Sequence, residues 1–207
     1  MIIVSKKAVP TSNLRELMDW LKKNQSTVSV GTTGVGTAPH LGGIYFQDVL
    51  GARFQFVPYR GLAPALNDLM SGHIDLMIDQ ISNSMPQVRA GNIRAYAVTA
   101  KSRISLAPDI PTVDEAGAPG LYLSIWFGLW VPRRIPKNII ARLNGAAAEA
   151  IADQSVRNRL GDLGLEVAPP DQRTLLFATC QQDFSRARPL CASGGLALQA
   201  LAAGQHG

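Results

Sequence analysis

The chain has 207 residues, of which 46% are hydrophobic and 17% charged, with 19 glycines and 13 prolines. That composition excludes general disorder and collagen-like or low-complexity classes, and no apolar run approaches the ~18–20 residues of a membrane span. The net charge of +5 comes from scattered pairs such as Lys22-Lys23 and Arg133-Arg134 rather than a basic stripe with interleaved aromatics, so nucleic acid is not an expected partner.

In chain order, Ile2-Ile3-Val4 reads as a short strand. The opening, MIIVSKKAVP, has its lysines after a three-residue apolar run. A signal peptide places the basic segment first and has a longer apolar core, so none is expected in this chain. Asn13 and Glu16 have capping-box spacing for a helix with Leu14, Leu17, Met18 and Leu21 on one face. Thr27–Thr32 reads as a strand, Gly34-Val35-Gly36 as a tight loop, and Thr37 as the cap of a helix with Pro39 in its first turn. Gly51 stops that helix. Phe54–Val57 is the next strand, followed by a helix from Leu62 that ends at Ser71-Gly72. Ile74–Ile78 is a strand. Ser82 or Asn83 is expected to cap a short helix with Pro86 in its first turn and Gly91 past its end. Ile93–Thr99 is a further strand. Residues 101–120 read as a loop, and Leu121–Val131 as an aromatic-rich strand. Pro136 opens a helix to about Asp153 with Ile139, Ile140, Leu143, Ala147 and Ile151 facing inward. A shorter helix covers about Ser155–Leu163, and Glu166–Ala168 is a candidate strand. Beyond Thr174 no convincing core face remains.

Thr27 to Thr99 thus alternates strand and helix, with short, near-continuous apolar strands. Such strands suit a parallel sheet covered on both faces, built from βαβ units. The expected fold class is α/β.

The Gly31–His40 segment, GTTGVGTAPH, has the glycine spacing of a phosphate loop, but Thr37 stands where that loop needs lysine. The dinucleotide fingerprint also fails, because no third glycine follows Gly34 and Gly36. What remains is a strand delivering the chain through glycines to a helix start, which favours an anion such as a carboxylate. The plain alternative is a capped strand–helix turn. His40 reads as a packing or capping residue rather than a catalyst, and His73 and His206 are isolated. No metal signature and no cofactor motif is present. Asp79, at a strand's carboxyl end, suits a ligand contact or a helix cap. Arg60 suits an anion or a solvated surface. Trp126-Phe127-Gly128 suits a core or a cleft wall. The spacing of Cys180 and Cys191 permits a disulfide and is no metal pattern.

Taken in order, several segments resemble the Bug-type substrate-binding proteins (receptors) of tripartite tricarboxylate transporters. They are Val9-Pro10, Gly34-Val35-Gly36-Thr37 with His40-Leu41, Val57-Pro58-Tyr59-Arg60-Gly61, Pro64–Leu69 and Asp75-Leu76-Met77. Arg94–Thr99, Asp109–Val113, Trp126–Leu129, Pro136, Arg142-Leu143-Asn144 and Leu163-Gly164 complete the match over roughly residues 9–170. The resemblance implies a periplasmic-binding-protein-like (type II) clamshell, N-terminally truncated here. Residues 1–8 would be a hinge or remnant of the first lobe. Residues 9–118 would be a complete ligand-binding lobe, 119–174 the hinge strand and helices of the incomplete first lobe, and 175–207 a divergent tail, suspected to be frameshifted. It implies a periplasmic, non-enzymatic receptor for a small carboxylate such as a dicarboxylate, a citrate-like acid, or an amino or aromatic acid. Binding would be impaired in the fragment, the partners would be membrane permease subunits, and the exposed hinge surface would invite self-association. The implied ligand-binding residues are Gly36, Thr37, Ala38, Pro39, Tyr59, Asp79, Trp126 and Phe127. The rival readings are the effector-binding domain of a transcription regulator and an enzyme using the Gly34–Thr37 loop.

Overall fold

A computed structural model describes residues 1–125, 131–132, 135–165 and 167. The chain divides into two compact units, Met1–Ile125 and a second that begins at Trp126. The first unit runs β1 (Ile2–Lys6), α1 (Leu14–Lys23), β2 (Ser29–Thr32), α2 (Ala38–Leu50), β3 (Gln55–Pro58), α3 (Leu62–Ser71), β4 (Leu76–Asp79), α4 (Ile81–Arg89) and β5 (Ile93–Val98).

The five strands form one sheet in the order β3-β2-β4-β1-β5. β2 lies parallel to β3, with Thr32 opposite Pro58, and parallel to β4, with Gly31 opposite Met77. β1 enters between β4 and β5 and pairs antiparallel with both, placing Ile2 opposite Asp79 and Val98. The strands of the βαβ run therefore all point the same way, as expected, and β1 alone runs against them.

Alternation along the strands sends side chains to opposite faces, and each face is covered. On one face Ile3, Val30, Leu76 and Ile78 meet Leu14, Leu17 and Leu21 of α1 and Phe46 and Leu50 of α2. On the other, Ile2, Val4, Met77 and Val98 meet Leu66 and Leu69 of α3 and Ile81 and Met85 of α4. Close approach of α2 to the sheet depends on Gly43, where a Cβ would lie 2.4 Å from Cε1 of Phe56. At the α1 start Asn13 caps as expected, while Glu16 closes on Ser12, one residue before the cap. Asn13 Oδ1 accepts from Glu16 N–H at 2.9 Å, while Glu16 Oε2 reaches back to Ser12 N–H at 2.7 Å.

Three local expectations are corrected. α4 begins at Ile81 with Gln80 at its cap position, and Pro86 lies inside the helix rather than in its first turn. The Asp79 carboxylate takes the Gln80 N–H and the Asn83 and Ser84 side chains, so Asn83 serves Asp79 and does not start the helix. Leu121–Ile125 form no strand: Leu123 N–H donates to Thr99 O at 3.0 Å, past the end of β5, with no ladder beyond it. The rest of the expected aromatic strand, residues 126–130, and most of the candidate strand at 166–168 lie outside the described residues.

The second unit contributes α5 (Lys137–Ala152) and α6 (Gln154–Asp162), which pack against each other. Asp153 caps α6 by accepting from Ser155 and Val156 N–H. The inward face expected for α5 is not buried. Ile139, Ile140 and Leu143 are exposed, because among the described residues α6 is the only element with substantial packing on this helix.

Candidate functional site

Parallel direction brings the carboxyl ends of β2, β3, β4 and β5 to one edge of the sheet. The starts of α2, α3 and α4 follow directly from three of those strand ends. In an open α/β sheet this edge is where ligands bind, and each helix start presents unpaired N–H groups and the positive end of its dipole.

The loop between β2 and α2, residues 33–37, is the longest of these connections. Gly34 and Gly36 take φ of 116° and 82°, a region that side-chain-bearing residues rarely enter. Val35, between them, is 89% exposed. Thr37 stands at the cap position with extended backbone, but its hydroxyl makes no capping bond and instead donates to Gly34 O at 2.7 Å. The hydroxyl thus closes the loop on itself. Pro39 has no N–H and sets the first-turn geometry. His40 occupies the third helical position and reaches back, its Nδ1 accepting the Gly36 N–H at 3.3 Å. Its ring also stands edge-on to Phe56, with centroids 4.9 Å apart. Among the described residues, the N–H groups of Val35, Ala38 and His40 have no acceptor. The loop therefore offers backbone donors, with its side-chain hydroxyl already used.

Tyr59 follows β3 at the same edge. Its N–H donates to Thr32 O at 2.7 Å and its hydroxyl to Asp68 Oδ2 at 2.6 Å. Burial, with the Asp68 carboxylate adding to it, pushes the phenol up to about 12, so Tyr59 stays a neutral donor. Arg60 beside it is exposed and has no carboxylate partner among the described residues. Asp79 ends β4 and is fully buried. Burial raises its carboxyl above the usual range, opposed by hydrogen bonds from Ser84 at 2.5 Å and from Asn83 and Gln80 at 2.7 Å. Both oxygens are engaged at the start of α4.

Of the residues singled out from sequence, Gly36, Thr37, Ala38, Pro39, Tyr59 and Asp79 all fall on this edge. Trp126 and Phe127 lie outside the described residues. The sequence reading missed Asp68 as the partner of Tyr59, for which a nine-residue separation gives no signal. It also missed the bond from Gly36 to His40, for which the three-residue capping-box spacing gives no signal. Among the described residues no group of three His, Cys, Asp or Glu side chains converges on a metal position, and no helix is long and apolar enough to cross a membrane. A shallow groove on α5, lined by Ile139, Arg142, Leu143, Gly145, Ala146 and Glu149, follows one helix and presents no convergent polar groups from elsewhere.

Comparison with known proteins agrees with this architecture. MatC from Rhodopseudomonas palustris, solved with bound malate, is 35% identical and superposes with a TM-score of 0.80, covering 89% of this chain and 64% of that one. The periplasmic binding protein BugD is also 35% identical, with a TM-score of 0.78 and the same share of its length covered over 91% of this chain. A protein from the TAR-I ttuE-ttuC' intergenic region of Agrobacterium vitis is 41% identical over 174 residues, which are 84% of this chain and 50% of that protein. The chain thus spans half the length of that curated relative. Residues 1–196 match the tripartite tricarboxylate transporter family receptor, and with a mixed α/β sheet of the same kind as its solved relatives the chain belongs to that family.

Proposed function

We propose that the chain acts as the ligand-holding part of a periplasmic receptor for a small carboxylate, delivering it to the membrane permease subunits of a tripartite tricarboxylate transporter. The observation that carries the reading is the glycine loop at the carboxyl edge. It ends at a helix start whose Val35, Ala38 and His40 N–H groups have no acceptor among the described residues. A carboxylate there gains charge-assisted hydrogen bonds and the favourable end of the α2 dipole. Gly36 and Thr37 shape the loop, Ala38 donates, and Pro39 holds the first turn open. Tyr59 and Asp79 support the neighbouring strand ends. The ligand-binding lobe takes in residues 9–118 together with β1, which lies inside its sheet rather than in a remnant of the other lobe, and the 119–125 segment packed on its core. The rest of 119–174 belongs to a second lobe and its hinge, and 175–207 is a divergent tail. MatC, the solved relative with malate bound, supports a carboxylate as the solute. Capture and release by such a loop require no nucleophile, metal or redox group, and the receptor is not an enzyme.

The test is titration of the isotope-labelled chain with malate, adipate, citrate and an uncharged diol, followed by amide NMR. Perturbation centred on Val35–His40 by the acids alone supports the reading. Acid-induced shifts confined to another edge, or none at all, would refute it.

A further inference from the structure

We propose that His40 is a positioning residue that latches the carboxylate loop in a proton-dependent way. His40 reaches from the third helical position back to the Gly36 N–H, one residue before the cap. This is a near relative of the capping box, in which Glu or Gln at that position bonds the cap residue's N–H; here the Thr37 N–H is taken by Gly34 O. Histidine fills that role only while Nδ1 is unprotonated, because the imidazolium has two donors and no acceptor. Protonation therefore breaks the Gly36 bond, frees that N–H, and places a positive charge at the helix start. In the empty site this charge opposes the α2 dipole; with an anion bound it joins it. By linkage, protonation of His40 and anion binding favour each other.

The Met1 ammonium, which burial lowers to about 6, lies at the same edge against Leu123 O, and the His40→Gln variant separates its effect from that of His40. β2 and β3 carry no titratable side chain, and neither does the loop over residues 33–37. β4 contributes Asp79, committed to Gln80, Asn83 and Ser84. Beyond β3, Tyr59 is bonded to Asp68, and Arg60 is the exposed cation at that strand end. On α2 itself, Tyr45 donates to Gly120 O and Asp48 pairs with Arg53 at 2.9 Å. In the segment that packs on Gly42, Tyr122 is bonded to Asp114. The face of His40 toward the lobe is the Phe56 ring.

The coupling to ligand rests on the carboxylate reading; the latch does not, and the test separates them. In the ligand-free chain, NMR follows the His40 ring and the Gly36 amide from about pH 8 to about pH 5.5. The two are expected to move with one midpoint, and in His40→Gln, which keeps an acceptor that does not titrate, the Gly36 amide stays fixed. Malate binding is then expected to tighten roughly 3–10-fold from about pH 8 to about pH 6, a range in which its carboxyls remain largely ionised. His40→Gln binds malate with a profile flat to about twofold. A Gly36 amide indifferent to His40, or a His40→Gln variant that keeps the wild-type pH profile, would overturn the proposal. Loop amides that follow His40 but ignore malate at every pH would instead refute the carboxylate reading and leave the latch standing.

Discussion

Asp79 provides the sharpest test of how the carboxyl edge is built. Its two oxygens accept from the Gln80 N–H, the Asn83 amide and the Ser84 hydroxyl, and Ser84 is itself fully buried. Asp79→Ala leaves the Ser84 hydroxyl without its partner and the half-buried Gln80 and Asn83 donors turning to water. An orphaned buried polar group costs about 1–3 kcal/mol, and loss of support at the start of α4 adds about 1 kcal/mol. The expected destabilisation is therefore about 2–4 kcal/mol. Asp79→Asn keeps an acceptor for Gln80 without the buried charge, and is expected to cost less than about 1.5 kcal/mol near pH 7. The two variants also differ from wild type in pH dependence. Burial raises the Asp79 carboxyl in the folded state. Its contribution to stability is fully present below the unfolded carboxyl range and is lost as pH rises through the folded value. Lowering the pH from neutral therefore favours wild type relative to Asp79→Asn, which has no such carboxyl. Urea unfolding at steps from about pH 7 down to about pH 3.5, below the ordinary carboxyl value, measures both effects. An Asp79→Ala variant within about 0.5 kcal/mol of wild type, or a wild-type/Asn difference that ignores pH, would refute the account of a buried carboxylate organising α4.

Three other outcomes follow from the same geometry. Gly43→Ala is expected to lose about 1–3 kcal/mol by thermal unfolding, since its Cβ must displace the Phe56 ring from 2.4 Å; an unchanged melting point would mean that α2 does not approach the sheet so closely. Gly36→Val forces a branched side chain into φ near 82°, at about 1–3 kcal/mol of strain, and should abolish acid-induced shifts at Ala38 and His40 by NMR while α1 and β1 amides stay in place. Malate affinity of this chain should be weak, on the order of 1 mM or about 4 kcal/mol, because Val35 and Gly36 are exposed and the loop works against solvent; micromolar binding by calorimetry would contradict that.

The lobe was legible because its signals are local and agree with one another. The helix cap at Asn13, the glycines that stop α2 and α3, and the apolar strand cores each act over a few residues. The α4 start was misread because Asn83 is a good cap residue in isolation, while the group that decides the matter, Asp79, belongs to the strand before it. The α5 face failed for a different reason. A periodic apolar stripe specifies that a helix can be buried and does not specify by what, and the described chain brings only α6 to it. The antiparallel entry of β1 had no signature either, since strand direction is set by partners more than 70 residues away, Met77 and Ile78 among them.

The side chains that looked most chemical in the sequence are the ones most fully committed to structure. Asp79 serves α4, Tyr59 serves Asp68, Thr37 closes on Gly34, and His40 holds Gly36. In the proposed receptor those satisfied side chains form a rigid frame, and main-chain donors at a helix start remain for the solute. Backbone donors recognise a carboxylate by geometry and charge without reading much of what is attached to it. In the proposed receptor such a loop is compatible with more than one small acid. It leaves selectivity for the body of the acid to residues other than the loop's own donors.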